Sequence, residues 1–111
     1  MTAPLLLPGE QIKQGESLRV ALGLKDVISL TGWKCRVVVS ASATGADPIL
    51  GPTNVTTKNS EGSRFVHFVP RDTTRDWPVG DYFYMADVYN ESTGEGKELH
   101  GELRVDLQGV V

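Results

Sequence analysis

The 111-residue sequence predicts an all-β domain, a two-layer sandwich of about seven strands behind a short N-terminal arm. Three observations carry that expectation. Apolar residues recur at every second position in short runs, the period of a strand with one buried face. Clusters of Gly, Pro, Asn, Asp and Ser separate the runs. No stretch shows the period of a long amphipathic helix. A chain of this length buries roughly 65% of its unfolded surface, enough for one core. Residues 1–8 are therefore assigned to the arm and residues 9–111 to a single domain.

Taken in order, Gln11–Lys13 is a short strand broken at Gly15. Ser17–Leu24 puts Leu18, Val20, Leu22 and Leu24 on one face, with Arg19 opposite. Trp33–Ala41 gathers Trp33, Cys35, Val37, Val39 and Ala41, with Lys34 and Arg36 opposite. The string SATGADPILGP at 42–52 predicts tight reversals, and Asn54–Thr57 a short edge strand. NSEG at 59–62 reads as a hairpin turn. Arg64–Val69 is a further strand of undecided facing, because Val66 and Phe68 compete with Phe65 and Val69. The polar loop NESTGEGKE at 90–98 joins the two longest strands as a hairpin. The second of these, Leu99–Leu107, turns Leu99, Gly101, Leu103, Val105 and Leu107 one way and His100, Glu102, Arg104 and Asp106 the other. Sheets of this kind bury one face of each strand against the other layer. An OB-type barrel fits the strand count too, but its usual basic groove disagrees with the net charge of −3.

The strand WPVGDYFYMADVY at 77–89 has apolar residues on both faces. Pro78 and Gly80 set a tight turn just before Tyr82. This resembles the tyrosine corner of immunoglobulin-like sandwiches, in which a Tyr hydroxyl returns to backbone just upstream. On that basis Tyr82, Tyr84, Ala86 and Val88 face inward. Phe83, Met85, Asp87 and Tyr89 then face outward. With Val38 from the neighbouring strand, Phe83, Met85 and Tyr89 are expected to form an apolar centre ringed by Lys34, Arg36, His100, Glu102 and Arg104. An apolar centre with a polar rim is the layout of an interaction surface. Leu5, Leu6 and Leu7 in the arm are expected to dock on the domain or on a neighbouring subunit.

Chemistry-bearing constellations are not evident. No G-x-S-x-G motif occurs, and the two histidines, His67 and His100, sit in strands without a nucleophile and orienter beside them. His67 is expected to face outward. One cysteine and two distant histidines do not match zinc spacing. The weak grouping of Asp72, Asp76 and Asp81 lacks the order of a calcium loop. Cys35 reads as a small buried hydrophobe. Neither a catalytic residue set nor a cofactor is expected. The 11 basic residues are scattered, so no nucleic-acid partner is expected. The N-terminal apolar run is too short for a signal peptide or a membrane span, giving an expectation of synthesis in the cytoplasm and no membrane partner. The sequons at Asn54 and Asn90 are read as chance.

Four strings follow one another across residues 12–107: IKQGESLRVALGLKD, SLTGWKCRVVVSAS, WPVGDYFYMADVYN and HGELRVDL. Their order resembles the small immunoglobulin-like domains of tailed-phage virion proteins, and is similar to the N-terminal domain of phage upper baseplate proteins. The shared pattern falls on Gln14, Gly15 and Glu16; on Leu30, Thr31 and Gly32; and on Gly80, Tyr82, Tyr84, Asp87 and Val88. Two departures stand out. The link before Leu30 is shortened to VIS, and one extra residue between Tyr84 and Asp87 predicts a β-bulge. The resemblance implies a non-enzymatic structural protein of the virion, a homo-oligomer docked on other virion proteins of a tail, baseplate or capsid, synthesised in the host cytoplasm. A chain ending at Val111 is expected to be an accessory or connecting part rather than a whole baseplate protein. Two other readings stay open: a capsid decoration (cement) protein, and a carbohydrate-binding sandwich using Trp33, Trp77, Tyr82 and Tyr89 as stacking platforms.

Overall fold

The computed structural model describes residues 10–24 and 27–107. Seven strands and one helical turn follow in order: β1 (Glu10–Lys13), β2 (Leu18–Leu22), β3 (Trp33–Ser40), β4 (Leu50–Val55), β5 (Phe65–Val69), α1 (Arg71–Thr74), β6 (Gly80–Asn90) and β7 (Glu95–Asp106). They form a five-stranded sheet of order β1-β7-β6-β3-β4 and a two-stranded sheet, β2-β5. All neighbours are antiparallel except β1, which runs parallel to β7. The fold is thus an all-β sandwich of seven strands, as the alternation predicts.

The core lies between the sheets. Leu18, Val20 and Leu22 of β2 and Phe65 and Val69 of β5 meet Cys35, Val37 and Val39 of β3, Tyr84, Ala86 and Val88 of β6, and Leu99, Leu103 and Val105 of β7. The inward set of β6 is the even-numbered one, as the corner argument requires. Phe65, at the β5 entry, is among the largest fully buried side chains. In β5 the competition in facing resolves to Phe65, His67 and Val69 inward. Phe68 points out under the Arg19 guanidinium, 5.3 Å from its ring centre.

The β5–β6 connection is fixed by side chains. The Tyr82 hydroxyl donates to the Pro78 carbonyl at 2.7 Å, completing a tyrosine corner. Thr74 Oγ1 donates to the Glu16 carbonyl at 2.7 Å, and Gln14 Nε2 donates to the Trp77 carbonyl at 2.7 Å. Trp77 is buried beneath them. Tyr82→Phe keeps the ring packing and removes only the hydroxyl bond. It is expected to cost about 1 kcal/mol, read as a lower urea midpoint at unchanged m.

Several expectations are corrected. The stretch at 42–52 is not all turn: β4 begins at Leu50 and runs through Gly51 and Pro52, ending at Val55. The expected bulge after Tyr84 is absent from the regular β6 ladders; the register shift lies in β3, between Val37 and Val39. β7 starts at Glu95, so the hairpin loop is only Glu91–Gly94, held by Asn90 Oδ1 accepting from the Ser92 and Thr93 amides. Ala41 and Leu107 are exposed because their strands stop one residue earlier, at Ser40 and Asp106. Trp33 is half-buried, since β4 ends before reaching it. The helical turn α1 was not expected; four residues are too few to show a period.

Candidate interaction surfaces

The outer face of the five-stranded sheet is built by the cross-strand rows of β3, β6 and β7. Met85 stands between Val38 and His100, Phe83 between Ser40 and Glu102, Asp87 between Arg36 and Glu98, and Tyr89 between Lys34 and Gly96. Phe83, Met85, Tyr89 and Val38 all lie on this face, and all four are half-buried rather than bare. Leu5, Leu6 and Leu7 lie outside the described residues.

The structure brings three of the four outer-face residues together. Phe83 and Met85 are two positions apart on β6, and Val38 pairs with Met85. Tyr89 is four positions further along, about 13 Å away, with the Asp87–Arg36 row between. The expected single apolar centre is therefore divided.

What shields Met85 and Val38 is the β3–β4 loop, which curls back over the sheet. Ser40 is buried, and its hydroxyl donates to the Ala46 carbonyl at 2.5 Å while accepting from the Ser42 amide at 3.1 Å. The Gly45 amide donates to the Ser42 carbonyl at 3.0 Å. Gly45 so closely overlies the sheet that a Cβ there would stand 3.5 Å from the Met85 methyl and 3.8 Å from Val38. Between this loop and β7 lies an open cleft of about 410 Å³, floored by Val38 and Met85 and edged by Arg36, Glu98 and His100. His100 Nε2 lies 3.3 Å from the Glu98 carboxylate.

Tyr89 belongs to a second cleft of about 470 Å³. Val55, the last residue of β4, pairs with Cys35, so Trp33 and Lys34 extend past the end of their neighbour. The chain then leaves the sheet for β5: the Val66 amide donates to the Thr57 carbonyl, and Lys58 bridges Phe65. The gap so formed is walled by Trp33, Tyr89 and Phe65, with Lys34, Arg36, Lys58, Asn54 and Glu91 at its rim. Of the four aromatic residues weighed as stacking platforms, Trp33 and Tyr89 line this cleft, whereas Trp77 and Tyr82 are buried elsewhere. Lys58 is a lining residue that no sequence pattern singles out; its turn is bridged to β5 through a contact seven residues away.

Three groups with perturbed titration, His67, Tyr84 and Cys35, lie in the core. His67 faces inward, against expectation, because β6 offers it a partner: its Nδ1 and the Tyr84 hydroxyl share a hydrogen bond of 2.5 Å across the sandwich. Burial lowers the His67 pKa. Burial, and secondarily Cys35, raises that of Tyr84. The Cys35 thiol is pushed up to about 12, by burial first and Asp87 second, which makes it a poor nucleophile. At the surface, hydrogen bonds from Gln11 first and Arg104 second hold Asp106 below the usual carboxylate range. Among the described residues no group of His, Cys, Asp and Glu is placed to hold a metal ion. Asp72 pairs instead with Arg75, and Asp81 with Arg104. No helix among the described residues is long and apolar enough to cross a membrane.

No family model matches the sequence, and no curated protein matches it. Solved structures do share the fold. The titin M3 domain is similar over 96% of this chain and 95% of its own, with a TM-score of 0.58 at 14% identity. The PKD domain of human KIAA0319 is similar over 98% of this chain and 89% of its own, with a TM-score of 0.52 at 10% identity. A chimeric titin Z1Z2 gives a TM-score of 0.52 at 12% identity, over 97% of this chain and 48% of its own. The chain thus has an immunoglobulin-like β-sandwich fold. At these identities the likeness extends to architecture alone.

Proposed function

We propose that this chain is a non-enzymatic structural module of a tailed-phage virion, which self-associates and docks on a larger tail, baseplate or capsid assembly. The observation that carries the reading is the outer face of β6. Phe83 and Met85, with Val38 beside them, sit on the central strands of the larger sheet, on the side that the β2–β5 layer does not cover. Central strands hold their side chains in fixed register, so the contact surface needs no ordering on binding. The sequence resemblance supports the virion setting, and the tyrosine corner at Tyr82 supports the immunoglobulin-like fold alone.

The β3–β4 loop shapes what such a face accepts. A flat second sheet would meet the loop at Gly45, whereas a narrow apolar segment fits the cleft beside Val38 and Met85. Leu5–Leu7 of a neighbouring copy is such a segment. An arm passed from each copy to the next is a head-to-tail contact, which gives a ring where the rotation between copies closes. Full burial of a Phe or Met side chain contributes about 1.5–3 kcal/mol. Because Phe83 and Met85 are already mostly covered, each has at most about a third of that left to gain. Single contacts are then weak, and repeated copies supply avidity.

Light scattering after size exclusion tests the reading. A stable oligomer is expected, dissociated by Phe83→Ser and by deletion of residues 1–8, with Tyr89→Ser much less effective because Tyr89 stands apart. A well-folded monomer at the highest soluble concentration would sink self-association.

A further inference from the structure

We propose that the cleft between Trp33 and Tyr89 binds a saccharide carrying a single carboxylate, such as a uronic or sialic acid residue. This goes beyond the assembly reading and does not depend on it. The cleft's volume of about 470 Å³ lies in the range of small-ligand sites. Trp33, in phase with the inward side chains of β3, and Tyr89, on the outward face of β6, line it from opposite faces of the sheet edge, and each offers one flat ring to the apolar face of a sugar while its polar edge stays wet. Asn54 on the rim can both donate and accept, as sugar hydroxyls require.

Its charge selects the acid. Three cations line the cleft, and two are engaged. Lys34 pairs with Glu91 at 3.0 Å. Lys58 donates to the Leu30 carbonyl at 3.2 Å and lies 5.6 Å from the Phe65 ring centre. The Arg36 side chain makes no ion pair or hydrogen bond among the described residues, and its planar fork matches a carboxylate in two-point contact. One guanidinium outside any ion pair, with Asp87 across the strand from it and Glu91 held by Lys34, suits a ligand with one negative charge. A nucleotide's clustered phosphates would meet Glu91 with too few free cations.

Titration of the isotope-labelled full chain, followed by amide and indole NMR shifts, tests this. The probes are sialyllactose and methyl galacturonoside, with lactose and the methyl ester of methyl galacturonoside as neutral counterparts and AMP as a phosphate control. At least one acidic probe is expected to shift Trp33, Arg36 and Asn54, and to bind roughly tenfold more tightly than its neutral counterpart. Arg36→Gln, an exposed change that leaves the core intact, is expected to abolish that preference. Trp33→Ala is expected to abolish binding, and Tyr89→Ala to weaken it should the tryptophan variant fail to fold. Equal binding of acidic and neutral sugars, AMP binding in place of both acids, an unchanged preference in Arg36→Gln, or no shifts with either acidic probe would each overturn the proposal.

Discussion

Gly51→Ala is expected to destabilise the domain by about 2–5 kcal/mol, a large share of the 5–15 kcal/mol typical of a whole domain. Gly51 has a φ of +88°, where a side chain is strained regardless of space. Space is lacking as well. A Cβ there would lie 2.3 Å from the Val37 carbonyl oxygen and 2.9 Å from the Thr53 amide nitrogen. The Val37 oxygen is a backbone atom of the neighbouring strand, so relief of the shorter contact requires β4 to move off β3, while the Thr53 nitrogen lies two residues on in β4 itself. Gly62→Ala separates the two effects. Its φ is +69°, but nothing lies within 4 Å of the new Cβ, so only the backbone strain of about 1–2 kcal/mol remains. Urea denaturation of both variants measures the difference. Hydrogen exchange at Ile49, whose amide donates to the Val39 carbonyl, reports whether β4 is the part that opens. Equal costs for the two substitutions would mean that the close approach at Val37 contributes nothing.

The same position shows why β4 was hidden. Gly and Pro in sequence predict a turn, and at Gly51 and Pro52 they instead accommodate a close backbone crossing opposite the register shift between Val37 and Val39. That crossing is a property of two strands together. Where information is local, the sequence was readable. The alternation of β2, β3 and β7 fixed their buried faces, and the spacing from Pro78 to Tyr82 placed the corner bond. Alternation fails at strand ends, because it does not say where pairing stops; Ala41 and Leu107 were carried one step too far.

The functional surface was legible in orientation but not in cover. Outward placement of Phe83, Met85, Tyr89 and Val38 follows from the period of two. Nothing in the string at 41–48 announces that it folds back over Met85, since its anchor is one buried hydroxyl, Ser40, meeting the Ala46 carbonyl. Nor does the spacing of Trp33 and Tyr89 reveal a shared cleft, which arises only because β4 ends at Val55.

His67 is the sharpest case, and it yields the second large effect. A histidine between Val66 and Phe68 reads as the polar side of a strand; it faces inward because Tyr84, on the opposite sheet, partners it. Tyr84→Phe leaves the His67 ring nitrogen buried without that partner and is expected to cost about 1–3 kcal/mol. His67→Leu strands the Tyr84 hydroxyl at a similar cost. The double variant replaces both members by apolar groups and is expected to cost less than the sum of the two, with a coupling of about 1–2 kcal/mol. Acid adds an independent signature. Burial depresses the His67 pKa below the ordinary 6.5, so on acidification the unfolded chain takes up its proton first. Stability from this residue is therefore fully present above pH 6.5 and is lost as pH falls towards the folded-state value. Asp106 acts in a separate window. Its pKa is also depressed, so its contribution fades only as pH drops below the ordinary carboxylate value of 3.8. Midpoints measured from pH 8 down to pH 5 should fall in the wild type and stay flatter in His67→Leu. Parallel curves would show that the imidazole is already free to take up a proton in the folded sandwich, and that the bond to Tyr84 does not hold it neutral.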